Sequence, residues 1–252
     1  MLRFIAERLS RGRSIRYQLP RIYGGCRMYI SPDAGLRYWF PRRALRTDQK
    51  LLMNAVETVK PGSVVWDVGA NMGLFSFAAA GLAGPEGCVF ALEPDDVMAR
   101  LLRRSALLNS AAAPVEVIPC AVSESVALAR FNIARRSRTS NYLEGFGMSQ
   151  AGGVREVETV LTVSLDWLAQ QISLPDVLKI DVEGAELNVF RGASQVLRDK
   201  RPSLIFEMNG AHWAEISRLL HCLGYALYNG ELPPAERQPL TGPCFNVLAL
   251  PA

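Results

Sequence analysis

Two stretches carry side chains that can move a proton. KIDVEGAE (179–186) sets Asp181 and Glu183 two residues apart at a strand end, with Glu186 opening the next helix. FEMNGAHW (206–213) puts Glu207 and His212 at a second strand end. A carboxylate or imidazole within ~3 Å of a hydroxyl can accept its proton. Asp181, Glu183, Glu207 and His212 are therefore the candidate catalytic residues. Glu186 also suits simple capping, since an acid in the first turn favours the helix dipole. Lys179 is expected to form a structural ion pair with one of these acids. The acids also offer hard oxygen ligands, so a divalent ion is possible, but no metal-specific spacing is present and no metal site is expected. His221 falls within an amphipathic helix and reads as packing or surface.

A third stretch, VVWDVGANMGLFSF (64–77), reads as a strand, a tight turn and a helix. Gly69 and Gly73 permit the unusual backbone angles of such a turn and leave room for a ligand. The first N–H groups of the following helix then face an anionic group. The spacing D-x-G-x-x-x-G has Asn71 where a dinucleotide fingerprint has glycine, which suits a carboxylate-bearing ligand better than a pyrophosphate. FALEPD (90–95) ends the next strand in Glu93, an acid placed to accept hydrogen bonds from a ribose diol. Turn and acid together, in order and on consecutive strands, imply an adenosine-containing cofactor.

These residues need a scaffold of alternating elements. From residue 63 the pattern alternates: strand SVVWDV, helix GLFSFAAAGLA, strand CVFALEP, helix DDVMARLLRRSALLN, strand VEVIPCAV. PDVLKIDV and PSLIFEM are further core strands, each followed by a helical stretch, and YALYN with CFNVLAL closes the chain as a hairpin-like antiparallel edge. Near-continuous apolar strands between helices imply an α/β, doubly wound, mostly parallel sheet. Its ligands bind at the carboxyl ends of the strands. Asp48 and Asp166 are expected to cap the helices that follow them. The segment 135–153, rich in Ser, Gly, Asn and Arg, reads as a long loop covering an acceptor. Residues 1–50 read as a small N-terminal extension. CRMYISPDAGLRYWF is expected to form a hairpin around SPDAG, with Tyr38, Trp39, Asn141 and Tyr142 as possible acceptor contacts.

The bulk numbers agree with one α/β domain. The chain has 252 residues, 49% of them hydrophobic, and a net charge of +4. The positive excess is arginine, clustered at 3–21, 42–46, 100–104 and 135–138. It reads as a solvated basic surface, so no nucleic acid partner is expected. Five scattered cysteines without CxxC spacing suit reduced thiols in a cytoplasmic protein. No run approaches the ~18 apolar residues of a membrane span. The basic, briefly amphipathic N-terminus MLRFIAERLSRGR reads first as a surface helix packed on the domain, with resting on a membrane surface as the alternative.

In order, VVWDVGANMGLFSF, FALEPD, IPCAVSE, LTVSLDWL, LKIDVEGAELNVFRGA and PSLIFEM resemble the motifs of FkbM-type methyltransferases, over about residues 60–210. The resemblance implies a class I, Rossmann-like fold with a seven-stranded sheet over 51–252, and S-adenosylmethionine (SAM) as cofactor. Asp67, Gly69, Asn71 and Gly73 would hold the methionine part, with Ala70 and Ser76 counted in the same site. Glu93 would bind the ribose, Ala121 and Val122 would lie near the adenine, and Asp181 would sit beside the reacting centre and also count among the cofactor contacts. The implied activity is O-methylation of a hydroxyl on a small-molecule natural product, sugar or glycan, by a monomer or homodimer. The alternatives are an NAD-dependent oxidoreductase on a similar fold and a non-catalytic SAM-binding protein. Asn71 and the lack of a Tyr-x-x-x-Lys pair argue against the oxidoreductase.

Overall fold

The computed structural model describes residues 2–146, 152–208 and 210–252. A helix α1 (Leu2–Ser10) leads into strands β1 (Ile15–Gln18) and β2 (Arg27–Ile30), then helices α2 (Pro41–Thr47) and α3 (Gln49–Thr58). The alternating core follows: β3 (Val64–Val68), α4 (Leu74–Ala83), β4 (Cys88–Leu92), α5 (Asp96–Ala106) and β5 (Val115–Ile118). Next come β6 (Ala121–Val122), β7 (Ala127–Ala134), β8 (Tyr142–Leu143), β9 (Val154–Val163) and α6 (Leu165–Leu168). The chain closes with β10 (Val177–Ile180), α7 (Glu186–Arg191), α8 (Ser194–Asp199), β11 (Ser203–Glu207), α9 (Trp213–Cys222), β12 (Tyr225–Asn229) and β13 (Asn246–Pro251).

The main sheet has seven strands in the order β12-β13-β11-β10-β3-β4-β5. The neighbours from β11 to β5 pair in parallel, and β13 runs antiparallel to both β11 and β12. The last strand therefore slots inside the sheet and leaves β12 at the edge. Side chains alternate between the faces, as the pleat requires. Val65, Val89, Val177 and Ile205 join one apolar cluster, while Trp66, Phe90, Leu178 and Phe206 join the other. A sheet buried on both faces needs such continuous apolar strands.

The N-terminal segment shares this core. Leu19, Tyr23, Met28, Ile30 and Tyr38 pack with α4 residues. Asn109, just beyond α5, holds β2 like a strand neighbour: its Oδ1 accepts from Arg27 N at 2.7 Å and its Nδ2 donates to Arg27 O at 2.7 Å. The turn before β2 presses on α4 so closely that a Cβ at Gly81 would lie 2.3 Å from Gly24 O. Gly81→Ala gains about 1 kcal/mol of helix propensity and loses about 1–3 kcal/mol to overpacking against a backbone that cannot yield. The net expectation is a loss, read as a lower urea midpoint with an unchanged slope.

Several local expectations are corrected. The N-terminal hairpin pairs Ile15–Gln18 with Arg27–Ile30, and its connection carries Pro20, Gly24 and Gly25. SPDAG lies beyond it, because Asp33 is buried and receives Arg138 Nε at 3.0 Å. Asp48 does not cap α3; its carboxylate takes Arg37 Nη2 at 3.2 Å and the Tyr38 hydroxyl at 3.1 Å. Ser164 caps α6, and Asp166 instead accepts from Gln195 N and Val196 N in the first turn of α8. The supposed loop around 135–153 is partly a second sheet, β6-β9-β7-β8. Of that loop, residues 147–151 lie outside the described residues. VEVIPCAV divides into β5 and β6.

Candidate active site

One cavity of about 500 Å³ opens at the carboxyl ends of the central strands. Its first wall is the turn between β3 and α4. Gly69 has φ 71, and a Cβ there would sit 1.8 Å from the carbonyl oxygen of Asp181. The glycine is thus demanded by the neighbouring strand end, which presses the turn against β10. Asn71 has φ 52, which asparagine tolerates better than most residues. Its Oδ1 accepts from Met72 N at 2.9 Å and its Nδ2 donates to Arg138 O at 3.3 Å. Those two bonds are what a glycine at this position would not supply.

Gly69, Ala70 and Asn71 line the cavity, together with Leu74 and Phe75 from the first turn of α4. Among the other residues expected here, Gly73, Asp67 and Ser76 do not reach its surface. Asp67 is fully buried beneath the turn, where Ser76 Oγ donates to its Oδ2 at 2.5 Å. Its Oδ1 is 2.9 Å from Lys179 Nζ, although off the line of a good hydrogen bond. Lys179 and Asp67 are register partners on β10 and β3. Lys179 also donates to Gly69 O at 2.7 Å and lies 3.6 Å from Asp181 Oδ2. Burial works to lower the Lys179 pKa, but Asp67 and Asp181 outweigh it and raise it above the ordinary lysine value. Lys179 and Asp67 therefore support the site from below.

Glu93 ends β4 on the same cavity. Its Oε2 accepts from Asn71 N at 2.6 Å and its Oε1 from Asp95 N at 2.7 Å. Burial and then Asp95 push Glu93 up to about 8, against the pull of those two N–H groups. Each oxygen retains acceptor capacity, and a protonated form could also donate, so the group suits a pair of hydroxyls. Beyond it Cys120, Ala121, Val122, Phe131 and Leu143 form an apolar pocket wall. An acid for a diol, an apolar slot for a flat ring and a turn with a helix N-terminus for an amino-acid tail match the chemistry of SAM. These residues fit that cofactor.

The opposite wall is acidic. Asp181, Glu183 and Glu207 all border the cavity, from the ends of β10 and β11. Glu183 has φ 55, an uncommon backbone state for a side chain of this size. Its side chain is open to the cavity but crowded by the concave wall. That burial, with Asp181 and then Glu186 nearby, pushes Glu183 up to about 7. Glu207 is also raised, by burial and then Asp181, with Lys179 working against both. Glu186 is buried away from the cavity, and its Oε1 accepts from Gly184 N at 3.0 Å, a capping role. His212 lies half-exposed on the short 3₁₀ turn Gly210–His212, outside the cavity lining.

Arg37, Asp48 and Arg138 escape sequence reasoning as site residues, whereas Tyr38 is among the acceptor contacts expected from it. Arg37, Tyr38 and Asp48 reach the cavity from the N-terminal segment as a bonded trio, with Arg37 Nη2 donating to the Tyr38 hydroxyl at 2.8 Å. Arg138 is 4% exposed and pairs with both Asp33 and Asp95 above the turn. Asn141 also lines the cavity, but its amide is spent on Asp95 Oδ2 and Ala134 N, both at 2.8 Å. Tyr142 and Trp39 do not line it.

Comparison with known proteins agrees with this architecture. The model of the methyltransferase FkbM domain matches residues 67–227, well over half of the chain. The hexuronic acid methyltransferase AglP of Haloferax volcanii is 29% identical over 186 residues, covering 71% of this chain and 70% of that protein. The 31-O-demethyl-FK506 methyltransferase FkbM of Streptomyces tacrolimicus is 29% identical over 229 residues, covering 80% and 84%. The crystal structure of a methyltransferase FkbM from Methylobacillus flagellatus superposes with a TM-score of 0.50 at 14% identity. It covers 79% of this chain and 50% of that one, and it speaks to the fold alone. With the matched domain enclosing both the glycine turn and the acidic strand end, the chain belongs to the FkbM methyltransferase family and is a SAM-dependent methyltransferase.

Proposed function

We propose that this methyltransferase acts on a hydroxyl group of a sugar, glycan or other small natural product. The observation that supports this reading best is the facing of two walls across one cavity: the cofactor-type wall of Glu93 and the β3–α4 turn, and the acid wall of Asp181, Glu183 and Glu207. The names of the relatives point the same way, one acting on a hexuronic acid and one on a demethylated FK506.

When bound, SAM supplies an electrophilic methyl group on a sulfonium. The protein's tasks are alignment and proton removal. Ala70, Asn71 and the first turn of α4 would hold the amino-acid tail, Glu93 the ribose, and Ala121 and Val122 the adenine. Asp67 and Ser76 would act beneath the turn, by fixing it. Asp181 or Glu183 would take the proton of the acceptor hydroxyl, with Glu207 beside them. His212 would serve only if the acceptor reaches outside the cavity. Lys179, 3.6 Å from Asp181, holds that carboxylate over the strand end. The N-terminal residues 1–50 would supply the acceptor's cover through Arg37, Tyr38 and Asp48.

No step of this reading is assigned to a metal. Among the described residues no helix is long and apolar enough to cross a membrane. The five free thiols suit a cytoplasmic setting. A nucleic acid acceptor is not proposed, and the chain would act as a monomer or homodimer.

Calorimetric titration with SAM and with NAD tests the cofactor. Binding of SAM and not NAD is expected; the reverse would overturn the reading. Screening hydroxylated acceptors for a gain of one methyl by mass spectrometry tests the acceptor class. The pH profile tests the acid wall. A proton acceptor works deprotonated, so a Glu183 raised to about 7 predicts kcat/KM rising with pH through that value. Where Glu183 rather than Asp181 takes the proton, Glu183→Gln removes that limb. A limb that stays in place would exclude Glu183.

A further inference from the structure

We infer that the face formed by α1 and the run Trp39–Arg43 docks on an anionic lipid surface. Large apolar side chains lead this face: Trp39 is 37% exposed, Phe40 70% and Leu9 59%. Trp39, Phe40 and Pro41 line a shallow cleft with Tyr17, Arg42 and Arg43, and α1 packs against Leu36–Trp39. Arg8, Arg11, Arg42 and Arg43 are exposed around it. Aromatic rings at the leading edge with cations beside them match the two layers of a bilayer boundary, apolar within and phosphate without. Arginine suits the phosphates because its guanidinium donates in pairs. Charge complementarity thus selects an anionic lipid surface. A groove for single-stranded nucleic acid would instead track the backbone with its basic groups.

The face has a direct tie to the cavity. Arg37 and Tyr38 line the cavity, while Trp39 and Phe40, next in the chain, line the surface cleft. Docking would bring the cavity rim to the bilayer. The inference does not depend on the acceptor or on the roles of Asp181 and Glu183.

Vesicle co-sedimentation of the full chain tests it. The protein is expected to pellet with vesicles of equal phosphatidylcholine and phosphatidylglycerol at low salt, and much less with phosphatidylcholine alone. High salt should release it, because exposed charges are then screened. Trp39→Ser/Phe40→Ser and Arg42→Glu/Arg43→Glu should each cut the partition coefficient by about tenfold or more. SAM binding by calorimetry should stay unchanged in both variants, which separates a lost surface from a lost fold. Wild-type protein remaining in the supernatant with anionic vesicles would overturn the inference. So would both variants pelleting like wild type. So would the same substitutions abolishing instead a dimer, or binding to single-stranded RNA, in an otherwise lipid-indifferent protein.

Discussion

Asp181→Asn is expected to lower kcat by about 10²–10⁴-fold, the usual worth of a positioned proton acceptor. The substitution keeps the shape of the side chain and removes its basicity. Asp181 borders the cavity and is about one-third exposed, so it is open to an acceptor. Its neighbour Lys179 keeps Asp67 as a partner at 2.9 Å, so the support beneath the site survives the change. The dissociation constant of SAM should therefore stay within a few-fold of wild type by calorimetry. Rapid-quench measurement of a single turnover should show the loss in the chemical step. A variant with normal turnover would pass the role to Glu183. A variant that fails to bind SAM would make Asp181 a cofactor-positioning residue.

Lys179→Met is expected to cost the fold about 3–5 kcal/mol, the usual penalty for leaving a buried charge without its partner. Lys179 is 4% exposed and Asp67 is fully buried. The methionine would also leave Gly69 O without its donor at 2.7 Å. Urea denaturation followed by circular dichroism would read the loss. The double variant Lys179→Met/Asp67→Leu should recover part of it, because no buried charge is then left unpaired, although Gly69 O and Ser76 Oγ stay without their partners. Additive losses in the double variant would show that the two side chains do not depend on each other.

The parts of the site that rest on local pattern were legible in the sequence. The glycine turn, Glu93 and the acids at 181, 183 and 207 all lie at strand ends that the apolar runs mark out, and the cavity gathers Gly69, Asn71, Glu93, Asp181, Glu183 and Glu207. The mostly parallel sheet follows from the same runs, while its count of seven strands is what the family resemblance implies. What was hidden depends on distant partners. Arg138 meets Asp33 and Asp95 at separations of 105 and 43 residues, which no local spacing signals. The second sheet was hidden because β7 is mostly exposed in its first half and buried in its second, so no single period marks it. Asp48 looked like a cap because caps are read from the next few residues, while its actual partners are Arg37 and Tyr38 on the preceding segment. Asp67 and Ser76 are cofactor contacts only by what the family resemblance implies; the pleat directs Asp67 into the interior beside Lys179, with Ser76 hydrogen-bonded to it.

The contact between Gly69 and the Asp181 carbonyl has a bearing on how such an enzyme diversifies. The glycine-turn wall and the acid wall are wedged together through main-chain atoms, so neither can drift alone. The rim that an acceptor would meet is borrowed from elsewhere: Arg37, Tyr38, Thr47, Asp48 and Leu51 on one side, Glu231, Phe245 and Asn246 on the other. Substitutions in that rim can retune which molecule is received while the alignment of the reacting atoms is inherited intact.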